Sequence, residues 1–172
     1  MESLRKILMA SGASHVVPVD PRAIRVYAWP RFKCQYGCPR YGKNYTCPPF
    51  VPALSSVREL LSEYSQALLF CFEGYSTTAD FAGMQEAARS VEREAFRMGH
   101  YKAFCFVGGS CKLCDSCAAE SGESCYRPQD KRPSLESCGI DVYEVARNAG
   151  IALDIVPTRD SRFNALGMLL IE

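Results

Sequence analysis

Three cysteines at successive three-residue intervals constrain this chain more than any other feature: Cys111, Cys114 and Cys117 in the run Gly109-Ser110-Cys111-Lys112-Leu113-Cys114-Asp115-Ser116-Cys117. Cys125 follows after seven intervening residues. The spacing crowds three thiolates onto one tight turn of backbone, which suits an iron-sulfur cube that takes several ligands from one side. Structural zinc usually draws one Cys-x-x-Cys pair from each of two separate knuckles, so the triplet matches a tetrahedron less well. Zinc, and thiols that are unligated or paired in disulfides, are the alternatives.

A second set lies upstream. Residues 31–49 hold two Gly, three Pro and three Tyr, which predicts a loop rather than a regular element. Its cysteines follow the pattern Cys34-x3-Cys38-x8-Cys47, and both Cys38 and Cys47 precede Pro. In bacterial ferredoxins the Cys before Pro is the remote ligand and serves the other cluster of a pair. Arg31, Lys33, Arg40 and Lys43 stand among these thiols, where cations would offset the negative charge of several thiolates or simply face solvent.

The remaining composition sets bounds. At 172 residues with 48% apolar content, the chain reads as a single domain over residues 1–172 with a core of its own. A net charge of +1 gives no global reason to expect nucleic acid or an anionic membrane as partner. The N-terminus resembles no signal peptide and no apolar run reaches the length of a membrane span, so a soluble, cytoplasmic protein is expected. Ten cysteines in a reducing compartment are expected to bind metal rather than form disulfides. His15 and His100 are isolated, and there is no phosphate loop, nucleophile elbow or His-Glu-x-x-His helix.

Between and around the cysteines the pattern becomes regular. Residues 2–11 form a short helix, residues 15–20 and 23–29 read as extended segments, and Pro30 stops the second. Leu54, Val57, Leu61 and Tyr64 recur at helical spacing, and residues 67–72 are a continuous apolar run typical of a strand covered on both faces. Residues 79–98 predict the longest helix, with Phe81, Met84, Ala88, Val91 and Ala95 as its inner stripe, and residues 103–107 a second buried strand. Strand, helix and strand together suggest a parallel crossover that delivers the chain into Gly108-Gly109 and the triplet, at the strand end where such sheets place their sites. A turn at Pro133, a helix over residues 140–149, strands over residues 151–156 and 165–171 and a charged turn at 158–162 complete the chain. The expected fold class is α/β or α+β, with a small mixed sheet, helical crossovers and cysteine-rich metal-binding loops. Cys71 and Cys105, each flanked by Phe, are expected to be buried core residues.

The ordered set Cys34-x3-Cys38, Tyr41-Gly-Lys43, Cys47-Pro-Pro49, Cys111-x2-Cys114-x2-Cys117-x7-Cys125, Arg132-Pro-Ser-Leu-Glu136 and Gly139-Ile-Asp-Val142 resembles an uncharacterised family of predicted metal-binding proteins. This domain of unknown function is found largely in archaea and anaerobic bacteria. The resemblance covers almost the whole chain and implies metal ligation, iron-sulfur before other kinds, in an oxygen-poor cytoplasm. It implies no reaction. The family pattern more often carries Met and Ala where this chain has Leu135 and Ser137, and a Cys at 138 is not fixed in it, so Cys138 stands apart as an eighth candidate ligand.

Two classes of function follow. Cys34, Cys38, Cys47, Cys111, Cys114, Cys117 and Cys125 are seven candidates, whereas two [4Fe-4S] clusters need eight ligands. Either another cysteine is recruited, and the protein is an electron-transfer module that meets a redox partner protein, or one iron lacks a cysteine. In the second case an open-coordination cluster could serve an enzyme or a sulfur-transfer protein. A radical enzyme of the adenosylmethionine type is a weaker variant, because its ligand spacing differs. The third reading is a zinc-stabilised interaction domain.

Overall fold

Unbroken burial along one apolar run organises the molecule. In the computed structural model, which describes residues 1–77, 79–156, 158 and 161–172, that run is strand β2 (Ala67–Tyr75). Successive strand residues point to opposite faces. Leu68, Phe70 and Phe72 therefore enter one apolar cluster, while Ala67, Leu69 and Cys71 enter another on the far side of the sheet.

Four strands make the sheet, in the order β1 (His15–Val19), β2, β4 (Phe163–Leu170), β3 (Phe104–Phe106), and every neighbouring pair is antiparallel. Helices cover both faces. Leu4 and Leu8 of α1 (Glu2–Ala10), with Met84, Ala88, Val91 and Ala95 of α4 (Phe81–Arg97), close the first cluster. Val57 and Leu61 of α3 (Leu54–Ser62), with Val145 and Ala146 of α5 (Val142–Asn148), close the second. The fold class is thus mixed α and β, as the sequence predicts. No helix among the described residues is long and apolar enough to cross a membrane.

The crossover differs from expectation. Because β2 and β3 both run antiparallel to β4, they are parallel to each other, but β4 lies between them. The C-terminal strand is buried along most of its length and needs a neighbour on each side, which the central position supplies. Close approach there is bought at Gly167, opposite Phe70: a Cβ would lie 2.4 Å from the Phe70 ring.

Four local expectations are corrected. Pro30 opens a helix instead of stopping a strand, because proline in a first helical turn lacks only an N–H that has no intrahelical partner. That helix, α2 (Trp29–Gly37), carries Cys34, so the loop predicted over 31–49 is helical in its first part. Residues 23–29 form no strand: Ala23 ends a 3-10 turn, Trp29 begins α2, and between them Val26 makes an isolated bridge to Ile140. Residues 151–156 form no strand: Ile151 and Leu153 pack against the second cluster, and Ile155 is 78% exposed. The turn predicted at 158–162 includes Arg159 and Asp160, which lie outside the described residues.

Candidate metal centre

Strand β3 hands the chain to the triplet through Gly108 and Gly109. Gly109 has φ +68°, and a Cβ there would stand 2.8 Å from the Phe81 ring at the start of α4. Only glycine takes that turn without strain. The loop beyond it is clamped by Gln85 of α4, which is 2% exposed. Its Nε2 donates to the carbonyls of Gly108 (3.0 Å) and Ser110 (2.9 Å), and its Oε1 accepts the Lys112 N–H at 2.9 Å. Val107 and Ser134 bridge the base of the loop, with the Val107 N–H donating to the Pro133 carbonyl at 3.0 Å. Beside that closure the Arg132 Nε donates to Glu92 Oε2 at 2.7 Å, and the same carboxylate accepts the Cys105 N–H.

The upstream cysteines arrive on α2 and the turns after it. Cys34 lies on the last turn of the helix, and Cys38 caps it, its N–H donating to the Cys34 carbonyl at 3.2 Å. The chain then turns through residues 39–53, where Asn44 and Thr46 are each 3% exposed. Asn44 Oδ1 accepts from the Thr46 N–H and hydroxyl, while Thr46 Oγ1 accepts the Cys111 N–H at 3.1 Å and Asn44 Nδ2 donates to the Cys111 carbonyl at 3.4 Å. These bonds sew the two cysteine regions together.

Cys111, Cys114, Cys117 and Cys125 line one cavity, with Asn44, Tyr45 and Thr46 forming its opposite wall. Cys34 and Cys38 border a groove of about 1220 Å³ rimmed by Trp29, Phe32, Tyr36 and Tyr143. Cys47 joins the groups electrostatically. Burial pushes its thiol up to about 12, and charges on Cys38, Cys34 and Cys117 push in the same direction. Burial likewise raises Cys34, helped by Cys38 and Glu136, and raises Cys111, helped by Cys114 and Cys117. Cys117 is therefore close enough to influence both Cys47 and Cys111. Among the described residues, no three Cys, His, Asp or Glu side chains stand together as they would around one ion.

The other cysteines sit elsewhere. Cys71 and Cys105 are fully buried on opposite faces of the sheet, and Cys138 is 1% exposed in the second apolar cluster. Of the four upstream cations, Arg40 lines the triplet cavity and lies 3.5 Å from Glu120, and Lys33 lies over the Trp29 ring at 5.2 Å. Arg31 donates to the carbonyls of Ser137 and Pro52. His15 faces Glu73 at 3.0 Å.

The profile of a family described as Predicted metal-binding protein (DUF2284) matches residues 17–171. The chain belongs to this family. No curated protein and no solved structure matches it significantly. As a member of this metal-binding family, the chain offers a donor set that fits a soft, thiolate-preferring metal: seven thiols in two adjoining regions, with cations at hand. Thiols raised by burial must give up protons when a metal takes them.

Sequence reasoning missed the residues that hold the cysteine-bearing loops in place. Gln85 was detectable as a polar residue one helical turn from Phe81, on the inner side of α4. Asn44-Tyr45-Thr46 is a side-chain-stabilised turn written just before Cys47, and only the fold reveals that its far side grips Cys111.

Proposed function

We propose that the protein holds two [4Fe-4S] clusters, one centred on Cys34, Cys38 and Cys47 and the other on Cys111, Cys114 and Cys125, with Cys117 between the sets. It serves as a one-electron carrier between partner proteins in a reducing cytoplasm. The observation that carries this reading is the joining of two cysteine regions by the Asn44–Thr46–Cys111 bonds, with Cys117 acting on both Cys47 and Cys111. Adjoining thiol sets suit two redox centres within electron-transfer range. A cluster bound there would supply reversible one-electron chemistry, while the chain sets its potential through burial, the loop hydrogen bonds and the cation Arg40.

The aromatic-rimmed groove beside Cys34 and Cys38 favours a second reading. A small molecule entering that groove would reach an iron with an open coordination position, making the protein an enzyme or a sulfur-transfer protein. Group-wise substitution tests the two-set arrangement. Cys34→Ser/Cys38→Ser/Cys47→Ser and Cys111→Ser/Cys114→Ser/Cys125→Ser should each lower iron and sulfide by about half. Loss of all metal from neither variant, with full iron retained in both, would rule the arrangement out.

A further inference from the structure

We propose that Glu136 is a metal ligand, giving its Oε2 to the iron site of Cys34, Cys38 and Cys47. This rests on the two-cluster reading above and names the donor that reading lacks. Seven loop thiols leave two four-iron clusters one ligand short. The three remaining cysteines are in the core, where reaching the loops would mean drawing a strand or the turn at 136–138 out of its packing.

Glu136 is already at the groove that Cys34 and Cys38 line. It opens the 3-10 turn Glu136–Cys138. That turn is tied to α2 by the Arg31 Nε bond to the Ser137 carbonyl at 3.0 Å, so carboxylate and thiol are held on facing elements. The Glu136 Oε2 is buried without a hydrogen-bond partner, which holds for no other buried side-chain nitrogen or oxygen among the described residues. A buried carboxylate oxygen left unpaired is costly, and an ion is one of the few things that explain it. Iron accepts carboxylate as well as thiolate oxygen and sulfur donors. A carboxylate is also the more easily displaced of the two, so the iron it caps is the one a small molecule in the groove would reach.

The test uses the full chain reconstituted anaerobically with iron and sulfide, alongside Glu136→Gln and Glu136→Ala. Iron, sulfide and the electron paramagnetic resonance of the oxidised protein are measured. Glu136→Gln, which keeps the shape but removes the anionic donor, should lose about one iron per chain and gain an oxidised three-iron signal. Glu136→Ala should do the same, and acetate added during reconstitution should restore the missing iron. If Glu136→Gln keeps its iron and spectrum while the unaltered chain carries two clusters, the proposal falls and the two-cluster reading stands. If the unaltered chain takes up no iron, both fall. Should Glu136→Gln lose its fold by circular dichroism, Glu136→Ala decides: rescue by acetate supports ligation, and iron loss unaffected by acetate overturns it.

Discussion

Gln85 shows how one side chain holds a metal loop in shape. Its amide satisfies two carbonyls and one N–H of residues 108–112, groups that a loop folded over α4 could otherwise leave unpaired. Gln85→Leu should therefore cost about 2–3 kcal/mol in metal-free protein, read as a lower urea midpoint. Gln85→Glu should do at least as much damage, because it sets a carboxylate against the Gly108 and Ser110 carbonyls; unchanged midpoints in both would contradict the clamp. The strand thiols make a pH prediction. Burial raises Cys71 from 9.0 to about 12 and raises Cys105 well above 9.0. Between these values the folded chain keeps protons that the unfolded chain has lost, so stability falls as pH rises above about 9. Replacing both residues by Ala should make that fall shallower in denaturant titrations at pH 8 to 11, with Cys47 and Cys138 keeping part of it, and an unaltered slope would place the loss elsewhere. At this scale the sequence was informative: the apolar neighbours of Cys71 and Cys105 marked them as core, and they are. Gln85 left only a faint signal, because a lone polar residue beside an apolar stripe, even one turn from Phe81, reads as surface until something polar is folded over it.

Helix α2 was the element least legible from composition. Glycine, proline and tyrosine in 31–49 mark a loop, and from residue 38 onward that reading describes the chain; but Pro30 starts a turn of helix that packs on residues 136–138. What the pattern lacked was the docking partner, which lies about a hundred positions away in sequence. The helix also changes what metal removal should do. Residues 31–37 are held by Arg31 bonds and helix packing, whereas residues 39–47 and 111–131 have few buried apolar side chains. After chelation, trypsin should cut first after Arg40, Lys43, Lys112 or Lys131, ahead of Arg31 and Lys33, as mass spectrometry of early fragments would show. First cuts within α2, or resistance equal to that of the metal-loaded protein, would mean that the metal does not order these loops.

Across the whole molecule, the four strands of the sheet and helices α1, α3, α4 and α5 could be recognised from periodicity, while α2, the two extended segments that form no strand and the order of the sheet could not. A strand, a helix and a strand in succession suggest adjacent parallel neighbours, yet β4 enters between them and pairs antiparallel with both. Nothing local to residues 67–107 encodes that insertion. The ligand-rich loops were legible because their chemistry is written in spacing: Cys111, Cys114, Cys117 and Cys125 line one cavity, and Cys34 and Cys38 border one groove. The bonds that join the two regions depend on the fold. The most direct measurement of the central claim is an assay of iron, acid-labile sulfide and zinc in the full chain purified without oxygen, together with its visible absorption. Two four-iron clusters predict about eight irons and as many sulfides per chain in a brown protein that bleaches on reduction. A colourless protein carrying zinc in place of iron and sulfide would contradict the account.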